Sequence, residues 1–488
     1  MPCTTILVGK NATYDGSTLM ARNEDSGSGW FTSKRFTVVN PADQPRHYRS
    51  VISGVEIDLP DNPMRYTAMP NALSDQGIWG EAGINECNVA MSETETLTSN
   101  PRVLGADPLV KGGIGEEDML TLVLPYIHSA REGVLRLGAL LEQYGTYEMN
   151  GIGFQDVNEI WWFESVGGHH WMARRVPDDA YVVMPNQQGI DSFDFRDAYG
   201  EGRECLCARD LLDFIRDNHL DLTMDGEDPA QATCFDVRAA LGSHSPSDHV
   251  YNTPRAWYML RCLNPHTCVW DGPHAEYTPE SDNLPWCMRP EHKVTIEDIK
   301  FVLSSYYQGT EYNPYARHGD PSVRGKYRPI GINRNNFLAI TQLRPYMPDA
   351  LRGVEWIAVG SNAFNEAVPL YANVETAPEY LANTGKTPTT ENFYWANRMI
   401  AVMADAHYPT CIAHVERYQQ SLASGAHAML KRFDEAYLAE PAADVHAYLA
   451  GCNQQLADLA RSLTDELLGN VLFTASSEMK NAFARSDG

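Results

Sequence analysis

The chain has 488 residues, 43% of them hydrophobic and 21% charged, which suits a folded, enzyme-sized body and not a disordered chain. Its 38 Lys and Arg stand against 64 Asp and Glu, and the resulting charge of −26 repels phosphate backbones and anionic membrane surfaces, so nucleic acid and membrane are set aside as partners. No stretch approaches the ~18 consecutive apolar residues of a bilayer span, and the opening MPCTTILVGKNATYDG lacks a basic segment followed by a long apolar one, which points to the cytoplasm.

Alternation and turn residues predict short strands over 4–9, 18–24, 35–40, 66–70 and 88–93. Spacing then turns helical over 116–143, with a break near Ser129, so two helices should cover one face of that first sheet. Residues 151–187 return to strands as two aromatic-rich hairpins. Helices are expected over 205–217, 236–241, 254–263 and 296–307, the last opened by Thr295 with Asp298 three residues on as an imperfect capping box. Strands resume over 336–371, the acidic 218–230 segment reads as a solvated loop, and after Thr390 the chain is helical with breaks at Pro409 and Pro441. Runs of strands, helices, strands and helices predict an α/β architecture of two sheets sandwiched by helices.

The ten cysteines contain no CxxC pair and fit neither a zinc ribbon nor a disulfide framework. Most suit reduced core thiols, but Cys3 stands at the very start of an apolar strand. The turn at Asp15-Gly16 brings the next strand, DGSTLMARNED, back beside it, so Arg22 and Asp25 can approach the thiol. A metal at GGHHW is disfavoured, because the adjacent His169 and His170 on a strand point to opposite faces, and the Trp161, Trp162, Phe163 and Trp171 run reads as sheet packing.

The segments CTTILVGKNATYDGSTLMARNED, GINECNVAMSETET, NGIGFQDVNEIWWFESVGGHHWMARRVPDDAYVVMPNQQGI, YNTPRAW and DIKFVLSSYYQGTEYNPY, in order over roughly the first 370 residues, resemble the dipeptidases of the cysteine-type N-terminal-nucleophile hydrolases, peptidase family C69, kin to the choloylglycine and penicillin V acylases. The resemblance implies a four-layer αββα sandwich, here with residues 1–2 removed as a propeptide, a catalytic domain over 3–389 and an added C-terminal helical segment over 390–488. It also implies a mature chain that begins with Cys3. That fits the chemistry: a thiol of pKa about 8.5 needs a base at neutral pH, and a free α-amino group on the same residue, pKa about 7.7–8.0, can serve.

Matched motif by motif, Arg22 is the arginine beside the thiol, Asp25 the acid that holds the new amino terminus, Asn186 in VVMPNQQ the amide donor to the oxyanion, and Arg255 in YNTPRAW a second arginine near the nucleophile. For a dipeptide, Glu93 and Glu95 are candidates to bind the ammonium, and Arg255 or His170 the carboxylate. No cofactor or metal is called for, and the expected partners are small peptide substrates and further copies of the chain in a homo-oligomer. Two alternatives stay open: an acylase acting on amides of bulky acids, and a non-catalytic protein keeping the fold.

Overall fold

The computed structural model describes residues 3–27, 30–73, 75–222, 224 and 228–480. Residues 1–2, part of the 218–230 loop and the side chain of Glu95 therefore lie outside the described residues. Two antiparallel sheets form the centre. The first has seven strands in the order Cys287–Met288, Tyr181–Met184, Cys3–Val8, Thr18–Asp25, Asn335–Leu343, Gly353–Val359, Val368–Tyr371. The second has six, in the order Cys205–Cys207, His170–Arg175, Ile160–Val166, Asn150–Gln155, Ala90–Glu95, Ala82–Ile84.

Cys3–Val8 is buried along its whole length, because it has a partner strand on each edge and a packed layer on each face, which is why CTTILV reads as a continuous run and not an alternation. Side chains alternate across it. Leu7, with Met20 on the next strand, joins the core between the sheets, whereas Ile6, Val8, Leu19 and Ala21 join the core under Thr253–Leu263 and Ile296–Leu303. The sheets approach closely at Gly153, where a Cβ would stand 2.4 Å from Met20 Sδ and 3.1 Å from Leu7 Cδ2. Helices Glu116–Val123 and Ala130–Tyr144 cover the second sheet, and Phe393–Ala406, Tyr408–Ala439 and Val445–Ser477 pack on the outer strands of the first. The order of layers is helix, sheet, sheet, helix, as the strand and helix pattern predicts.

The expected helix over 205–217 is instead a short strand followed by a helix: Cys205–Cys207 pairs with Met172, Ala173 and Arg174, and only Leu211–Asp217 is helical. Sheet pairing there overrides a helical spacing. The helix expected over 296–307 stops at Leu303, although both bonds of its capping box form, from Asp298 N to Thr295 Oγ1 at 3.1 Å and from Thr295 N to Asp298 Oδ2 at 2.9 Å. Its carbonyl end is taken by the sheet, since Asn23 Nδ2 donates to Leu303 O at 2.6 Å. Among the described residues no helix is long and apolar enough to cross a membrane.

Candidate active site

Cys3 and Thr18–Asp25 fix the centre through register. Cys3 stands opposite Glu24 and Thr5 opposite Arg22, so by alternation Cys3, Arg22 and Glu24 share the face turned to the second sheet, and Asp25 lies on the other. Arg22 and Asp25, three apart, thus lie on opposite faces of the strand that runs beside Cys3. Arg22 Nη2 lies 2.8 Å from Cys3 Sγ, with both side chains fully buried. Burial pushes the Cys3 thiol up, and the Arg22 charge is the largest effect pulling it back.

Arg22 is held by carboxylates that arrive from the second sheet and its helix. Its Nη2 donates to Glu116 Oε1 at 2.5 Å and its Nη1 pairs with Glu81. Glu81 adopts a positive φ of 69°, an uncommon state for a residue with a Cβ, and two buried cations hold it there: Arg22, and Lys34 at 3.4 Å. Lys34 also pairs with Glu24 at 2.5 Å. Burial, then the neighbouring Glu81, raises Glu24 to about 7, whereas Arg22 and Lys34 overcome burial to keep Glu81 low. Glu93 completes the group: fully buried and in no ion pair among the described residues, it has the Leu120 backbone beside its carboxylate, and burial followed by Glu81 pushes its pKa well up. One carboxylate oxygen each of Glu81, Glu93 and Glu116 lies within 4.8 Å of the others, which makes this the group among the described residues that could hold a cation.

On the opposite side, Cys3 N donates to Asn186 Oδ1 at 3.2 Å, and Arg255 Nη2 donates to the same oxygen at 2.8 Å. Every N–H of Arg255 is committed: Nε to Tyr251 O, Nη1 to Cys3 O and Thr4 Oγ1, Nη2 to Asn186 and Asn252. A substrate carboxylate could reach it only by displacing these bonds, which tie Arg255 to the backbone of Cys3 and to Asn186. Asp25 is paired with Arg328 and receives Asn335 Nδ2. Asn335 is in turn held by the C-terminal helical segment, where Arg398 Nη2 donates to its carbonyl at 2.6 Å.

His170 is not brought to this cluster. It lies three strands across the second sheet from Ala90–Glu95, roughly 14 Å by strand spacing alone. Its Nδ1 meets Asp107 Oδ2 at 2.7 Å and its ring stacks on Phe214 at 4.1 Å. The expectation that His169 and His170 point apart also fails: the strand begins only at His170, so His169 sits in the preceding turn and both imidazoles reach the one Asp107 carboxylate. Glu164, set beside these histidines in sequence, faces the other way and accepts Gly189 N at 2.8 Å, Ile190 N at 3.3 Å and Trp162 Nε1 at 2.9 Å. It pins the turn that follows Asn186.

Glu81, Glu116, Arg328 and Asn335 are absent from the expectations drawn from sequence. Only a faint signal marks them: WGEAG and GIGEED place acids among glycines, which permit close backbone approach, and nothing local ties them to Cys3.

Comparison with known proteins identifies the family. The chain is 54% identical to a dipeptidase of Bifidobacterium longum (strain NCC 2705) and 53% identical to a probable dipeptidase A of Streptococcus pyogenes serotype M3 (strain SSI-1), with 100% of both chains covered in each case. Dipeptidase A of Lactobacillus helveticus is 42% identical, with 96% of each chain covered. A family profile matches residues 2–421, and the chain belongs to peptidase family C69.

Proposed function

We propose that the protein is a cysteine dipeptidase that works through a thioester on Cys3 of a chain from which Met1 and Pro2 have been removed. The observation that carries this reading is the fully buried thiol 2.8 Å from Arg22, with its own backbone nitrogen directed to Asn186. The names of the relatives, all dipeptidases, supply the substrate class.

A buried thiol whose pKa is raised needs a base close by. In the unprocessed chain the Cys3 nitrogen is an amide and carries no basic lone pair. An attack of Sγ on the Pro2 carbonyl, with loss of the Pro2–Cys3 amide bond and hydrolysis of the resulting thioester by water, releases Met-Pro and leaves Cys3 with a free amine. That amine can keep its hydrogen bond to Asn186 Oδ1 and accept the thiol proton. The thiolate, stabilised by Arg22, then adds to the carbonyl carbon of the substrate's first residue. The amide end of Asn186 is the candidate donor to the oxyanion, a role worth about 2.7–4 kcal/mol for one donor. Collapse expels the second amino acid, which takes the proton from the Cys3 ammonium, and water hydrolyses the thioester to free the first.

Because the amine must be neutral to accept a proton, activity should rise with pH through its titration, whose reference lies near 7.7–8.0. The test is kcat/KM on a free dipeptide, a pentapeptide and a bulky acyl-amide, with the intact mass recorded on the same preparation. Loss of Met-Pro with preference for the dipeptide supports the reading. Preference for the acyl-amide makes the protein an acylase, and full activity in protein that retains Met1 and Pro2 removes the amine from the mechanism.

A further inference from the structure

The carboxylates around Arg22 outnumber what the thiol requires. Arg22 and Lys34 meet Glu24, Glu81 and Glu116 directly, but Glu93, equally buried, forms no ion pair with either and has the backbone of Leu120 beside its carboxylate. A carboxyl group fully removed from water with no cation paired to it is among the more expensive groups a core can hold, and a site for a cation is a physical reason to keep one.

We propose that Glu93, with Glu81 and Glu116, receives the free α-ammonium of the substrate's first residue, so that the enzyme measures its substrates from the amino end. The inference rests on the dipeptidase reading above. An ammonium offers three N–H donors, and three oxygens each ~2.8 Å from its nitrogen at tetrahedral angles stand roughly 4.6 Å apart. The three carboxylate oxygens here lie within 4.8 Å of one another. The group also lies beside the nucleophile, since one guanidinium nitrogen touches both. In a peptide the ammonium nitrogen is about 2.5 Å from the scissile carbonyl carbon, and that carbon must come within ~3–3.5 Å of the sulfur. One guanidinium nitrogen, 2.8 Å from Cys3 Sγ and 2.5 Å from Glu116 Oε1, spans the interval between thiol and carboxylates.

The amine of Cys3 itself is not the intended occupant, since its nitrogen is turned to Asn186 on the far side of the residue. A divalent metal suits the group less well. Calcium takes about 6–8 oxygen ligands and magnesium near-octahedral ones, whereas this group offers a triangle of three carboxylate oxygens, which matches the three N–H donors of an ammonium.

The experiment compares alanyl-alanine with propionyl-alanine, which differs only in the missing ammonium, on processed wild type and on Glu93→Gln, with Glu355→Gln as a buried-carboxylate control elsewhere. Wild type should favour the free dipeptide by ~10²-fold in kcat/KM, the scale of a buried charge-assisted contact. In Glu93→Gln that ratio should fall at least tenfold, mainly through KM, while Glu355→Gln keeps it. A wild-type ratio near one overturns the proposal whether or not Glu93→Gln folds, and so does a Glu93→Gln ratio equal to wild type. Activity that EDTA abolishes and calcium or manganese restores, with metal binding lost in Glu93→Gln, would assign the group to a metal instead. If wild type cleaves neither compound, the dipeptidase reading itself fails.

Discussion

Replacing Asn186 by Asp separates the two jobs proposed for its side chain. Asn186 is 5% exposed, and its Oδ1 accepts from Cys3 N at 3.2 Å and Arg255 Nη2 at 2.8 Å. Asp keeps that acceptor in place and converts only the Nδ2 donor into an oxygen. The new charge is not stranded, because Arg255 in the native protein faces neutral oxygens alone and would gain a carboxylate at hydrogen-bonding distance. Stability should therefore change by no more than about 1 kcal/mol, whereas loss of one oxyanion donor should raise the barrier by about 2.7–4 kcal/mol, a fall of ~10²–10³ in kcat. KM should move little. Asn186→Ala, which also removes the acceptor that orients the Cys3 nitrogen, should lose more than Asn186→Asp. The assay is steady-state hydrolysis of a free dipeptide by protein whose intact mass shows processing, with a thermal melt of each variant. If Asn186→Asp folds, is processed and keeps kcat within about threefold of wild type, the amide is not an oxyanion donor and its role ends with positioning Cys3 and Arg255.

Cys3→Ala should fold yet lack all peptidase activity, whereas Cys87→Ala, at an exposed thiol, should retain it, and inactivation by iodoacetamide should follow modification of Cys3 as read by peptide mass. Gly153→Val should destabilise the protein by about 1–3 kcal/mol or more, because its side chain enters the space held by Met20 and Leu7 between the sheets; an unchanged denaturation midpoint would refute the close approach. Glu355 is fully buried, its Oε2 accepts from Thr67 Oγ1 at 2.7 Å, and burial raises its pKa from 4.5 to about 8. The folded protein therefore keeps this proton across a window in which the unfolded chain has lost it, and stability falls as pH rises from about 4.5 to 8 at up to ~1.4 kcal/mol per pH unit. Glu355→Gln, neutral at every pH, should melt close to wild type near pH 4.5 and several degrees above it at pH 8; parallel melting curves across that range would remove Glu355 as the cause.

Much of this molecule was determined by the sequence alone, because it is written in local pattern. The Cys3–Val8 and Thr18–Asp25 hairpin follows from two apolar runs about a turn, and in that hairpin the approach of Arg22 to the thiol is a matter of register. The capping box at Thr295, the helix opened by Pro409 and the return to strands over 335–371 are equally local. What only the tertiary structure decided is whatever depends on the approach of distant segments. Glu81 and Glu116 join Arg22 from the second sheet and the helix above it, and a buried arginine can be paired by any carboxylate that packing delivers. Arg255 could have met a substrate carboxylate, but the loop carrying Asn186 and the backbone of Cys3 use up its donors first. His170 lies in a motif that suggests chemistry and is drawn off by Asp107, 63 residues away in the chain. The physical reason is the same in each case: side-chain type and spacing set which face of an element a group occupies, while its partner is set by how two sheets pack, and no local pattern encodes that contact.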